Sequence, residues 1–138
     1  MTQNWLLSKK FTFEAAHQLP HHDGKCRNLH GHSWVGVVNV SGDRLITDGA
    51  KQGMVIDYSD IKKVLTPLVN EYLDHHYLND SLGLESPTSE AVAQWLFTQL
   101  RDKLDGLQSV EIHETCTSRC VYSESIDLSN AIALGRIN

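Results

Sequence analysis

The chain has 138 residues, 41% of them hydrophobic, and a formal net charge of −5. That length suits one domain with a real core, residues 1–138, and the acidic balance speaks against a protein that coats nucleic acid. No stretch approaches membrane-spanning length and Met1 to Lys10 lacks the apolar run of a secretory signal, while three irregularly spaced cysteines, Cys26, Cys116 and Cys120, fit a reducing cytoplasm better than a disulfide scaffold.

From Trp5 to Leu19 the chain alternates. Phe11, Phe13, Ala15 and His17 share one parity, so a strand would set His17 on the face of the two phenylalanines, and Pro20 ends it. Residues His21 to Arg27 are polar and turn-like around Asp23-Gly24. A second strand follows from about His30 to Val40, with His30, His32, Trp34, Val38 and Val40 on one face. Ser41 to Gly53 reads as a charged, glycine-rich connection, and Met54-Val55-Ile56 as a short extended piece.

Ile61, Val64, Leu65, Leu68, Val69, Tyr72 and Leu73 then recur at helical spacing. Asp57 or Ser59 can cap this helix, Pro67 should kink it, and it ends near Asp74-His75-His76. Leu78 to Ser86 reads as a loop. Ser86-Pro87 resembles a cap followed by proline at the first helical position, opening a second helix through Val92, Trp95, Leu96 and Leu100 that Gly106 is placed to stop. Val110 and Ile112 alternate into a third strand through about Thr115, and Cys120-Val121-Tyr122 can pair back as a fourth. Residues 123–138 form a C-terminal extension with no winning period.

The order strand, strand, helix, helix, strand, strand makes an α+β domain: an antiparallel four-stranded sheet with two helices on one face. Four strands leave two open edges, and pairing those edges between copies points to a homo-oligomer.

Two histidines two apart in a strand, His30 and His32, face one point, with only Gly31 between them. With His17 they offer three imidazoles, a donor set that leaves one zinc position open for chemistry rather than closing a structural site. Cys26, beside Lys25 and Arg27, is either a half-buried packing residue, a thiolate favoured by the positive neighbours, or a fourth ligand. Asp74-His75-His76 is either a polar helix end or an aspartate orienting a histidine for proton transfer; helical spacing lets only one of the two histidines face the site. Glu114, on the parity of Val110 and Ile112, is either a solvated strand-end carboxylate or a partly buried one that receives a planar guanidine-like edge. Cys116 and Cys120 read as packing residues, and His21, His22 and His113 as surface.

Phe13-Glu14-Ala15-Ala16-His17, Cys26-x-x-x-His30-Gly31-His32, Leu73-Asp74-His75-His76-Tyr77-Leu78-Asn79, Pro87-Thr88-Ser89-Glu90 and Glu114-Thr115 occur in that order. Together they resemble the 6-pyruvoyl-tetrahydropterin synthase superfamily, and the three residues between Cys26 and His30 look like its carboxy-tetrahydropterin branch. The resemblance covers about Phe11 to Tyr122. It implies a tunnelling fold (ββααββ), in which subunits join into an oligomeric barrel as a trimer or hexamer. It implies Zn²⁺ on His17, His30 and His32, Cys26 as proton acceptor, Asp74 with His75 as relay, and Glu114 as pterin anchor with a share in the relay.

The implied reaction converts 7,8-dihydroneopterin triphosphate to 6-carboxy-5,6,7,8-tetrahydropterin, releasing acetaldehyde and triphosphate, on the way to queuosine and other 7-deazaguanines. Lys25 and Arg27, and beyond them Arg44 and Arg119, are triphosphate candidates on charge alone. The pyruvoyl branch is the alternative within the superfamily. A non-catalytic zinc- or pterin-binding protein is the alternative outside it.

Overall fold

The computed structural model describes residues 3–124. The expected C-terminal extension therefore lies, from residue 125 onward, outside the described residues. Two long strands come first, β1 (Trp5–His17) and β2 (His30–Gly42), with a 3-10 turn at Lys25–Arg27 between them. They pair antiparallel along their whole length, with Phe13 opposite Trp34, Ala15 opposite His32 and His17 opposite His30. The alternation decides which side is buried: Phe13, Ala15, His17, Trp34, Val38 and Val40 all lie inside, on the face the helices cover.

Helix α1 (Tyr58–Leu68) starts where Asp57 accepts a hydrogen bond from the Ser59 N–H at 2.9 Å. The expected single bent helix is instead two conformations in series. Pro67 lies inside α1, and a π turn (Val69–Leu73) follows it, closed by the Asp74 N–H donating to the Val69 carbonyl at 2.8 Å. Proline supplies no N–H to the α ladder, and a wider turn next to it keeps the apolar residues inward, so Leu68, Val69 and Leu73 stay buried.

The helical pattern ends at Leu73 with Asp74 as its cap, next to the histidines as expected. His76–Tyr77 forms β3, which pairs parallel with β1 at Ala15 and Ala16. This corrects the sheet: five strands in the order β3-β1-β2-β4-β5, not four, and not wholly antiparallel. A two-residue strand carries no alternation to read, which is why the sequence hid it. The expected loop after it contains a single turn, α2 (Leu78–Ser81), that buries Leu78. The expected extended piece at Met54–Ile56 forms no strand.

Helix α3 (Ser89–Leu100) is capped by Thr88, whose hydroxyl accepts from the Ala91 N–H at 3.1 Å, and not by Ser86. Pro87 thus stands before the cap, which frees its carbonyl for another partner. Strands β4 (Leu107–Thr115) and β5 (Ser118–Ser123) complete the sheet. Gly106 does not stop α3, which ends six residues earlier. It has φ +79° and lies so close to Ser41 that a Cβ there would meet the Ser41 carbonyl oxygen at 2.3 Å. Glycine there lets the α3–β4 connection lie against the end of β2.

The core is one cluster joining Phe13, Trp34, Val38, Ile61, Leu65, Leu96, Leu100, Val110 and Ile112. Each fully buried side chain of this size is worth roughly 1.5–3 kcal/mol relative to exposure. The opposite face of the sheet carries no helix. It is mixed, with Leu6, Val35, Val37 and Val121 among polar residues, and Asn39 bonds Ser8 on β1 and both Ser109 and Glu111 on β4. Among the described residues no helix is long and apolar enough to cross a membrane.

Candidate metal and catalytic site

The register of β1 with β2 places His17 directly across from His30, and His32 two residues further along the same face. The three rings pack with centroids 4.5, 5.1 and 4.8 Å apart and planes tilted by 60–90°. Tilted rings can aim their nitrogens at one point without stacking. Trp34 closes the inner side, its ring 5.0 Å from that of His17 and 5.4 Å from that of His32.

The outer nitrogens are pinned. His17 Nδ1 donates to the Pro87 carbonyl at 2.8 Å, and His30 Nδ1 donates to the Asn28 carbonyl at 2.7 Å. These bonds select the tautomer that leaves a lone pair on Nε2. The Nε2 atoms of His17, His30 and His32 are buried and have no hydrogen-bond partner. A buried polar atom left unsatisfied costs about 1–3 kcal/mol, so three converging on one point call for a shared partner. A cation meets that demand. Burial is the main influence on His17 and pushes its pKa down, with the Pro87 carbonyl and Glu114 opposing. The neutral form is the one a metal takes.

Glu114 joins them. Donor atoms of His17, His30, His32 and Glu114 all lie within 4.8 Å of one another. Glu114 Oε1 comes within 3.2 Å of His32 Nε2, yet without the alignment of a hydrogen bond. Sequence reasoning assigned Glu114 to substrate and missed this proximity. The available signal was parity: Val110, Ile112 and Glu114 face the same side of the sheet as the histidines. Cys26 is outside this group. It sits half-buried in the 3-10 turn before β2, its carbonyl accepting from the Leu19 N–H at 2.8 Å. The convergent donor group thus contains Glu114 and not Cys26.

Asp74 and His75 stand on the other side. Asp74 Oδ1 accepts from the Glu14 N–H at 2.8 Å, and its Oδ2 accepts from His75 Nδ1 at 2.9 Å. The Glu14 bond first, then His75, holds the Asp74 carboxyl below its ordinary pKa. His75 has φ +61°, a left-handed backbone that costs a non-glycine residue roughly 1–2 kcal/mol. Its N–H donates to the Glu14 carbonyl at 2.6 Å, which fixes the strained residue against β1. A cavity of about 510 Å³ runs from Glu14, Gly31, His32 and Ser33 to His75 and His76. Both histidines border it, because neither is helical and the helical spacing rule does not apply to them.

Lys25 and Arg27 are exposed on either side of Cys26. Arg44 is exposed beside Asp43, and Arg119 is engaged by Glu111 at 3.0 Å on the helix-free face. His21 and His22 are exposed as expected. His113 is half-buried beside Glu111 rather than on the surface, because its parity turns it onto the sheet face opposite the core. Cys120 packs against the core, whereas Cys116 is exposed in the β4–β5 turn and is not a packing residue.

A two-layer α+β domain with a three-histidine, one-carboxylate metal pocket at the paired ends of its first two strands is the class that fold and site define. The chain belongs to the 6-pyruvoyl tetrahydropterin synthase family, which it matches over residues 6–125. It is 61% identical to a 6-carboxy-5,6,7,8-tetrahydropterin synthase of Synechocystis sp., over 86% of this chain and 92% of the relative. It is 37% identical to a protein of the same name from Haemophilus influenzae, covering 86% of this chain and 98% of that one. Among solved structures, the 6-pyruvoyl tetrahydropterin synthase of Caenorhabditis elegans superposes with a TM-score of 0.76 at 28% identity, covering 90% of this chain and 98% of that one.

Proposed function

We propose that the chain is a zinc-dependent 6-carboxy-5,6,7,8-tetrahydropterin synthase. It would act on 7,8-dihydroneopterin triphosphate and release acetaldehyde and triphosphate, in the synthesis of queuosine and other 7-deazaguanines. The observation that carries this reading is the convergence of three buried, unpartnered Nε2 atoms beside a cavity that His32 borders together with His75, the histidine Asp74 orients. The 61% identity to a relative of that name supports the carboxy product over the pyruvoyl one.

His17, His30 and His32 would hold the ion, a nitrogen-rich donor set suited to zinc. Zinc bound there supplies Lewis-acid polarisation of the substrate's side-chain oxygens. Cys26 accepts the proton released from the adjacent carbon. His75, oriented by Asp74, returns a proton elsewhere on the substrate. The exchange shifts oxidation state within the substrate and expels triphosphate, after which one water molecule cleaves the C–C bond of the side chain, its oxygen entering the ring carboxylate and its hydrogen the departing acetaldehyde. Glu114 grips the amino-pyrimidine edge of the pterin and shares in the relay, and Lys25 and Arg27 meet the triphosphate. The working form is a cytoplasmic homo-oligomer, a trimer or hexamer, whose open sheet edges pair into a barrel. Residues 1–138 form one domain, with 123–138 appended.

The test is a product assay. Zinc-loaded protein and 7,8-dihydroneopterin triphosphate should give acetaldehyde and a carboxylated tetrahydropterin. A pyruvoyl pterin without acetaldehyde would move the chain to the sister activity. Bound metal with neither product would overturn the catalytic reading and leave a zinc- or pterin-binding protein.

A further inference from the structure

Asn79 lies two residues past β3, and its side-chain amide is spent entirely on main chain. Oδ1 accepts from the Gln18 N–H at 3.0 Å, while Nδ2 donates to the Gln18 carbonyl at 2.8 Å and to the Glu85 carbonyl at 3.1 Å. The pairing with Gln18 copies a strand rung. It prolongs the short β3–β1 contact beyond the point where β1 ends. Gln18 directly follows His17. Glu85 precedes by two residues Pro87, whose carbonyl receives the His17 Nδ1–H. One half-buried amide therefore ties down both the main chain that carries the His17 ring and the loop that orients it.

No other described side chain joins these two segments in this way. Apart from the His17–Pro87 bond that this arrangement serves, the other side-chain tie between them, His21 to Glu85, lies in solvent at both ends. A surface tie of that kind contributes little and yields to salt. The direction in which His17 Nε2 points depends on where the Pro87 carbonyl stands, and partners of this sort change metal affinity about 10–100-fold when removed.

We propose that Asn79 is a positioning residue for the metal centre, fixing the His17 ring through Gln18 and the 85–87 loop. It acts without touching the ion, and the proposal rests on the zinc reading above. Asn79→Ala leaves the Gln18 N–H and carbonyl unpaired and releases the loop. Ser81→Ala is the matched control. It removes a half-buried bond from the same short helix, Ser81 Oγ to the Tyr72 carbonyl at 2.7 Å, without touching Gln18 or Glu85.

Metal-free wild type, Asn79→Ala and Ser81→Ala are titrated with Co²⁺, whose visible absorption bands report the ligand geometry. Zn²⁺ affinity is then measured by competition with a chelator. Asn79→Ala should bind both ions about 10-fold more weakly or worse, with shifted cobalt bands. Ser81→Ala should melt earlier with wild-type bands and affinity. Unchanged bands and affinity in Asn79→Ala, or an equal loss in Ser81→Ala, would overturn the proposal and leave Asn79 a fold residue. If the wild type takes up no cobalt, the zinc reading fails and this inference falls with it. Should Asn79→Ala not fold, Asn79→Gln, which keeps the amide but displaces it by one methylene, carries the same comparison.

Discussion

His17, His30 and His32 hang from the paired ends of two long strands, whereas Asp74 and His75 sit on a bend between a π turn and a two-residue strand. The first group is buried at His17 and half-buried at His30 and His32, and is held by a ladder running the length of β1 and β2. The second is more exposed, carries a left-handed backbone, and is attached to β1 through the main chain of Glu14. The metal side gains its geometry from regular structure at little local cost. The relay side departs from regular structure and depends on a few bonds to hold the departure. The metal side should therefore tolerate changes on the relay side, while the relay needs the strand beneath it.

The largest effect expected is from His30→Ala. Removing one of three imidazoles should leave the protein without stoichiometric zinc after gel filtration and without turnover, as metal content and acetaldehyde release would report. The metal-free fold should persist, since β1 and β2 remain paired along 13 residues each. Cys26→Ala should keep zinc and lose about 10²–10⁴-fold in rate, the usual worth of a positioned proton acceptor. Zinc loss in that variant would return Cys26 to the ligand set.

His75→Gly sharpens the contrast further. It should cut turnover by about 10²-fold or more, yet raise resistance to denaturant by up to about 1 kcal/mol, because glycine adopts φ +61° without strain. A fall in stability would show that the Asp74–His75 contact outweighs the backbone cost.

The smallest effect is a pH dependence. Asp74 has a lowered folded-state pKa, so its stabilisation is fully present above the ordinary carboxylate value of about 4 and is lost as pH falls through the folded value. Melting temperatures from pH 7 to 3 should show wild type losing its margin over Asp74→Asn only in the acid range. A constant margin would mean that charge at Asp74 adds nothing to the fold.

The same contrast explains what could be read in advance. His17, His30 and His32 were legible because strand parity alone puts residues two apart on one face. Phe13, Trp34 and Val38 were legible as core for the same reason. β3 was not, because its two residues carry no period and its partner lies far back in the chain, at Ala15 and Ala16. The π turn was hidden inside a helical pattern that it preserves. Ser86-Pro87 misled because proline before a helix looks the same whether it is the first helical residue or stands ahead of Thr88. Glu114 could be placed on the correct face but not at its distance from His32, which depends on how β4 docks against β2 at its far end.

That docking is governed from the opposite end of the sheet. Asn39 is 4% exposed, bonded to β1 through Ser8 and to β4 through Ser109 and Glu111, at the point where the β2–β4 ladder shifts by a bulge. A slip of β4 by one residue would turn every side chain to the other face. Glu114 would then leave the histidines, and the buried Asn39 amide would lose its partners. A side chain roughly 30 Å along β2 from His30, at about 3.3 Å per residue, thus proofreads strand register on behalf of a pocket it never meets.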